Sequence, residues 1–284
     1  MSGSMRDKVV VITGATSGIG EVAADRLAQR GARIVFVARD RHRGEETRRH
    51  LRAIAGHADH TVHYADLSRL SEMKSVASEI AQAEPQIDVL INNAGAMFGS
   101  RHLTDDGLEM TFALNHMSYF VVTNLLLERL RATPGARIVS TASDAHKPAK
   151  LNFDDLQSER GYSGFSVYGG TKLMNILFTR EIARRLAGTG VTANCFHPGF
   201  VATRFGEGSG GILSWGIGLA KVIALSPEQG AETMIYLASS ADMDGKTGGY
   251  YYKCALASPS REAQDDADAK RLWDISAKLS GVGY

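Results

Sequence analysis

The sequence predicts one doubly wound α/β domain spanning residues 1–284, a parallel sheet with helices on both faces. Short, nearly all-apolar runs rich in β-branched residues alternate with longer segments of helical period, as strands buried on both faces and their crossover helices should. The first of these strands runs straight into a glycine-rich turn that opens a helix. No repeat, low-complexity linker or composition break divides the chain.

In chain order, residues 9–13 (VVVIT), 33–38 (RIVFVA), 61–64 (TVHY), 89–91 (VLI), 137–141 (RIVST), 191–196 (VTANCF) and 249–252 (GYYY) are the candidate strands. Helical period fills the intervals at 18–30, 41–55, 70–83, 104–131 (two helices or one bent one), 166–187 and 227–238. A last helix over about 266–279 belongs to a C-terminal extension, residues 258–284. The arginine-rich segment 41–52 is interrupted by Glu45 and Glu46, which marks a solvated helix face.

Composition removes several function classes. Thirty-two basic and 31 acidic residues leave a formal charge of +1, so no global charge draws the chain to nucleic acid or an anionic membrane. The longest apolar stretch, 212–225, is too short to span a bilayer and contains Lys221, so no membrane span is expected. Two distant cysteines, Cys195 and Cys254, read as buried and reduced, which suits a cytoplasmic protein. His57, His60 and His63 recur every third residue without carboxylate partners of clear spacing, and no metal site is expected from them.

The turn Thr13-Gly14-Ala15-Thr16-Ser17-Gly18-Ile19-Gly20 lies between strand and helix, where glycines let the backbone turn sharply and approach a pyrophosphate at the helix N-terminus. That context predicts a dinucleotide site of Rossmann type. The second strand ends in Arg39, where a site built for NAD places a carboxylate on the ribose; an arginine suits the 2′-phosphate of NADP. Asp40 follows directly and leaves NAD(H) open, with NADP(H) favoured.

Taken together with Asn92-Asn93-Ala94-Gly95, Asn115, Ser143, Tyr168-x3-Lys172 and Pro198-Gly199 with Thr203 beyond, the chain resembles the classical short-chain dehydrogenase/reductase family. The motifs run in order over about residues 8–252. Leu114-Asn115-His116, Ser143-x2-His146, Asp155-Leu156 and residues 177–181 (LFTRE) resemble its retinol-dehydrogenase-like branch. The resemblance implies a seven-stranded parallel sheet and a nicotinamide dinucleotide at the carboxyl ends of its strands. Gly14, Thr16, Ser17, Gly18, Ile19 and Gly20 would hold the pyrophosphate, and Asp66 and Leu67 would lie near the adenine. Asn93, Ala94 and Gly95 would support the adenosine ribose, and Pro198, Gly199, Val201 and Thr203 the nicotinamide. Thr171 stands where the family usually has serine.

Tyr168 and Lys172 are four residues apart in a helical segment and so share a face. A free phenol has a pKa of about 10, and a cation about 4 Å away supplies on the order of 4 kcal/mol, so Lys172 together with the positive oxidised nicotinamide is expected to bring it near working pH. Tyr168 is therefore expected as general acid in carbonyl reduction and general base in alcohol oxidation, with Ser143 orienting the substrate oxygen. By resemblance, Lys172 also reaches the nicotinamide ribose, and Asn115 holds a water that links Lys172 to solvent.

Substrate-side expectations are coarser. Residues 204–226 mix six glycines with Phe205, Ile212, Leu213 and Trp215 and read as a lid over an apolar pocket, or else as a packing helix or dimer contact. Residues 145–165 would form another wall, and His146 and His197 flank the active edge, where either would line the pocket. The expected partner is a small carbonyl or alcohol, and the family resemblance implies a homodimer or homotetramer built through helices 104–131 and 166–187. Two other functions stay open: a non-catalytic NADP(H)-sensing or scaffold protein, which the Ser143, Tyr168 and Lys172 set argues against, and a nucleotide-sugar epimerase or dehydratase, for which little chain is left after Pro198.

Overall fold

The computed structural model describes residues 4–200 and 225–283. Eight strands, β1 (Val9–Thr13), β2 (Arg33–Ala38), β3 (Thr61–Tyr64), β4 (Val89–Asn92), β5 (Arg137–Thr141), β6 (Thr192–Phe196), β7 (Tyr250–Tyr252) and β8 (Ala255–Ala257), form one sheet in the order β3-β2-β1-β4-β5-β6-β7-β8. All neighbouring pairs up to β7 are parallel. The all-apolar runs are the interior of this sheet: Val10, Val11, Ile12, Ile34, Val35, Phe36, Leu90 and Ile91 are fully buried.

One strand goes beyond the expected seven. β8 pairs antiparallel with β7 across a tight turn at Lys253 and Cys254, both left-handed (φ 48° and 61°). Neither residue is the glycine, asparagine or aspartate that announces such a turn, so the hairpin carried no sequence signal. Cys195 is buried, whereas Cys254, in the turn, is half-buried.

Helices α1 (Gly18–Gln29), α2 (Arg41–Ile54) and α7 (Pro227–Ser239) lie with one core against one face of the sheet. Helices α3 (Leu70–Ala83), α5 (Ser118–Arg131), α6 (Gly164–Arg185) and α8 (Asp266–Ser280) enclose the other core. The helix expected from residue 104 starts later, as α4 (Met110–Phe112). Ahead of it, Gly107 in a left-handed conformation (φ 75°) donates to the Thr104 carbonyl, and Leu103 bridges Glu109 in an antiparallel pair. Helix α4 begins where the Glu109 carboxylate accepts from the Thr111 and Phe112 amides. It then widens into a π-helical turn, Ala113–Met117, before α5 continues.

The C-terminal extension is part of the second core. Trp273 of α8 packs between Phe120 of α5 and Phe178 of α6, at ring-centre distances of 4.8 and 6.0 Å, under the Arg185 guanidinium. It covers the two helices that the resemblance assigns to assembly.

Candidate active site

The register of the sheet brings the ends of β1, β2, β4, β5 and β6 to one edge, at the point where strand order reverses between β1 and β4. The glycine turn, Arg39, Asn93, Ser143 and His197 all emerge there.

The turn after β1 is held by backbone and short side chains. Gly14 and Gly18 are left-handed (φ 72° and 61°), and a Cβ on Gly20 would stand 2.1 Å from the Gly14 carbonyl oxygen. Thr13 Oγ1 accepts from the Asn93 and Ala94 amides (2.9 and 3.0 Å). Asn93 Nδ2 donates to the Thr13 and Gly14 carbonyls. The start of α1 has no side-chain cap, so the first-turn amides beside Thr16, Ser17 and Ile19 are left for phosphate oxygens, and this cradle fits a dinucleotide pyrophosphate.

Arg39 is exposed beyond the end of β2, and Asp40 is used locally: its carboxylate accepts from the Arg43 amide at 2.8 Å as the cap of α2. The Arg43 guanidinium points back to the Thr16 carbonyl (3.5 Å), which puts a second cation by the turn. Asp66 leads into α3 with its carboxylate on the Ser68 amide and hydroxyl (3.0 and 2.7 Å), and Leu67 beside it is buried. Both lie next to the end of β2, because Ala65 donates to the Ala38 carbonyl.

Across the edge, Ser143 follows β5 and opens a 3-10 turn, Asp144–His146. The Ser143 hydroxyl accepts from the Ala145 amide (3.2 Å), and Ser143 is near enough to the Tyr168 phenol to pull its pKa down. Gly169 lets α6 approach this turn: a Cβ there would stand 2.5 Å from the Ala145 carbonyl oxygen. One helical turn on, Lys172 is buried, with Nζ donating to the Thr141 carbonyl (3.2 Å) and lying 5.4 Å from the Tyr168 ring centre. A Cβ on Gly95 would be 3.6 Å from that Nζ, so the Gly95 backbone and Lys172 face the same space.

Burial works against both charges. It pushes the Tyr168 phenol up to about 12, with Ser143 pulling the other way, and the Lys172 ammonium down to about 7. For the chain by itself burial thus favours a neutral phenol; the expected acidification draws on Lys172 together with the oxidised nicotinamide.

Asn115 sits fully buried in the π-helical turn. Its side chain exchanges two hydrogen bonds with the Ala96 backbone (2.8 and 2.9 Å) and donates to Thr171 Oγ1 (3.1 Å), which in turn donates to the Tyr168 carbonyl (2.7 Å). Thr13 and Thr171 stand in the motifs already quoted, whereas Thr141, whose carbonyl accepts from Lys172 Nζ, was missed: it ends an apolar strand with no spacing signal to single it out.

His146 and His197 turn inward instead of lining a pocket. His197 accepts from the Gly199 amide (3.1 Å), stacks on Tyr252 with centres 4.1 Å apart and lies 3.5 Å from Asp144. This fixes the Pro198-Gly199 turn, where Gly199 has φ 82°. His60 is likewise accounted for, its ring nitrogens bonded to the Ile34 amide and the Ala55 carbonyl (3.0 Å each). Val201, Thr203 and residues 204–224 of the expected lid lie outside the described residues. The segment 145–165 packs across the loop after β4, where the Tyr162 hydroxyl donates to the Phe98 carbonyl (3.1 Å). Among the described residues no helix is long and apolar enough to cross a membrane.

Comparison with known proteins agrees with this geometry. The model of the short chain dehydrogenase family matches residues 8–210. Retinol dehydrogenase 14 of Homo sapiens is 40% identical over 302 residues, covering 99% of this chain and 88% of its own length. Retinol dehydrogenase 12 of Mus musculus is 40% identical over 98% of this chain and 87% of its own. Among solved structures, an uncharacterised protein from Mycobacterium paratuberculosis superposes with a TM-score of 0.80 at 33% identity, covering 100% of this chain and 97% of that one. The NADP complex of Pseudomonas aeruginosa RhlG gives 0.70 at 26% identity, covering 87% and 94%. The chain belongs to the short-chain dehydrogenase family and is an oxidoreductase acting on CH–OH groups with a nicotinamide dinucleotide.

Proposed function

We propose that this enzyme interconverts an alcohol and a carbonyl on a small apolar substrate with NADP(H), Tyr168 exchanging the proton. The observation that carries this is the contact of Ser143 with Tyr168, with Lys172 one turn along α6, at the sheet edge that also presents the Gly14–Gly20 turn.

The bound nicotinamide supplies or takes up the hydride. In reduction, the neutral Tyr168 phenol donates its proton to the substrate oxygen as the alkoxide forms, and a phenol held up to about 12 is fully protonated for that role. In oxidation, Tyr168 takes the hydroxyl proton, which needs its phenolate. Ser143 orients the substrate oxygen by a second hydrogen bond. Lys172 holds the cofactor ribose, and Asn115 fixes the segment beside it by its bonds to Ala96 and Thr171. Gly14, Thr16, Ser17, Gly18, Ile19 and Gly20 would hold the pyrophosphate. Asp66, Leu67, Asn93, Ala94 and Gly95 would frame the adenosine, and Pro198, Gly199, Val201 and Thr203 would hold the nicotinamide.

NADP(H) is favoured because Arg39 is exposed at the ribose end of β2 with Arg43 on the same turn, while the Asp40 carboxylate is engaged in capping α2. A homodimer or homotetramer would have to form with α8 already lying over α5 and α6. A reducing compartment, the cytoplasm, is proposed from the free cysteines Cys195 and Cys254.

The test is cofactor oxidation against a panel of apolar aldehydes and ketones, including retinal because of the relatives' names. The expected result is turnover with a higher kcat/KM for NADPH than for NADH. The opposite ratio would remove the NADP(H) assignment. Cofactor binding with no turnover across the panel would favour a sensing or scaffold protein.

A further inference from the structure

Two fully buried histidines join the C-terminal extension to the residues beside the reacting groups. His116, next to Asn115 in the π-helical turn, bonds through Nε2 to Ser276 of α8 (2.8 Å). Ser276 spends its own hydroxyl proton on the Leu272 carbonyl (2.8 Å), so the proton of this bond belongs to His116. His146 makes the more consequential connection. Its Nδ1 lies 2.7 Å from the Ser143 carbonyl, which only accepts, and its Nε2 lies 3.1 Å from the Ser260 amide, which only donates. The partners fix a neutral ring with its proton on Nδ1.

The Ser143 turn is thus gripped from two sides. Helix α6 presses on it at Gly169, directly beside Tyr168. From the other side come the Ser260 amide, through His146, and Tyr250 of β7, whose hydroxyl donates to Asp144 (2.9 Å). Residues 258–264 are themselves braced: Ser260 Oγ accepts from the Ala263 amide, and the Gln264 side chain donates to the Pro259 and Ser260 carbonyls. Arg180 of α6 pairs with Asp266 at the start of α8 (2.8 Å).

We propose that His146 is a positioning residue through which residues 258–264 set the Ser143 hydroxyl against the Tyr168 phenol. The proposal rests on the oxidoreductase function proposed above and adds the C-terminal extension to the working parts of that site. A neutral His146 is needed, because a proton on Nε2 would face the Ser260 N–H and break the connection. The charged and titratable groups around it are Asp144 and Lys147 in its own turn, His197 from the end of β6 and Tyr250 from β7. Burial holds its pKa below the ordinary histidine value, with Asp144 opposing and Lys147 assisting.

The test compares the full-length wild type with His146→Phe, which keeps ring volume but loses both bonds, and His146→Gln, whose Oε1 takes the place of Nε2 as acceptor for Ser260. Three quantities are measured between pH 5 and 8: carbonyl reduction with NADPH, hydrogen-exchange protection of the Ser260 amide, and the 13Cζ resonance of Tyr168. His146→Phe is expected to lower kcat by about 10²-fold with KM for NADPH nearly unchanged, expose the Ser260 amide and shift the Tyr168 resonance. His146→Gln restores most of all three. In the wild type, kcat and Ser260 protection fall together as the pH drops below the ordinary histidine range, and in His146→Gln they do not.

If the phenylalanine variant fails to fold, His146→Asn, which keeps the bond to Ser143 but cannot reach Ser260, carries the same comparison. A Tyr168 resonance and kcat indifferent to the loss of the Ser260 bond would overturn the proposal, as would a glutamine variant no better than phenylalanine. Should the wild type reduce no carbonyl while the Tyr168 resonance still follows the His146 substitutions, the carbonyl reduction proposed above fails and the positioning role stands.

Discussion

The glycine turn after β1 and the cluster around Tyr168 share one sheet edge but are held in opposite ways. The turn is made by eight consecutive residues whose constraints are backbone constraints: positive φ at Gly14 and Gly18, and no room for a Cβ at Gly20. The cluster gathers residues from β5, the π-helical turn, α6 and the C-terminal extension, joined by side-chain hydrogen bonds across up to 114 positions of sequence. A locally built site fails by steric insult, whereas one built at long range fails by loss of a partner.

That contrast orders the predictions. Lys172→Met should have the largest effect, because it removes the cation beside both the ribose space and Tyr168: kcat/KM falls by about 10³-fold in steady-state assays, with the fold retained by circular dichroism. Little change would mean that the long-range cluster is only structural. Gly20→Ala drives a methyl into the Gly14 carbonyl, and overpacking of this kind costs roughly 1–3 kcal/mol. Calorimetry should show a lower Tm, and titration should show weakened NADPH binding with kcat on saturated enzyme less affected.

Asn115→Ala deletes three side-chain hydrogen bonds at a fully buried position. It should cost about 2 kcal/mol in denaturant unfolding and reduce kcat more than cofactor affinity, the reverse of Gly20→Ala. Arg39→Ala should raise KM for NADPH by roughly tenfold and leave KM for NADH nearly unchanged, since only the 2′-phosphate contact is lost.

The smallest effects are in pH dependence. With Tyr168 raised to about 12 the phenol keeps its proton between pH 7 and 9, so any fall in reduction across that range follows Lys172, which burial holds down to about 7, while oxidation climbs as phenolate becomes available. For stability, buried His116 is held down to about 3 against an ordinary 6.5, so only the unfolded chain takes up its proton between those values. Its contribution is fully present above pH 6.5 and is lost as the pH falls towards 3, and His116→Gln should make that acid slope shallower in unfolding titrations.

The same contrast explains what was legible in the sequence. β1 to β7 and most helices announced themselves through apolar runs and period, and the phosphate turn through its glycines, because each is a local pattern. The helix expected from Thr104 failed because Asp105, Asp106 and Gly107 form a turn and the helix waits for its cap at Glu109. β8 was hidden because Lys253 and Cys254 take left-handed conformations that their side chains do not advertise. The Ser260–His146 bond has no sequence signature at all, since its donor is a backbone amide.

The central claim is that Tyr168 delivers the proton that accompanies hydride transfer. It is tested most directly by a single turnover of enzyme saturated with NADPH and mixed with a reactive apolar aldehyde, for wild type and Tyr168→Phe. The account predicts that the phenylalanine variant binds NADPH with nearly the wild-type Kd but oxidises it about 10³-fold more slowly. Wild-type rates from that variant would contradict it.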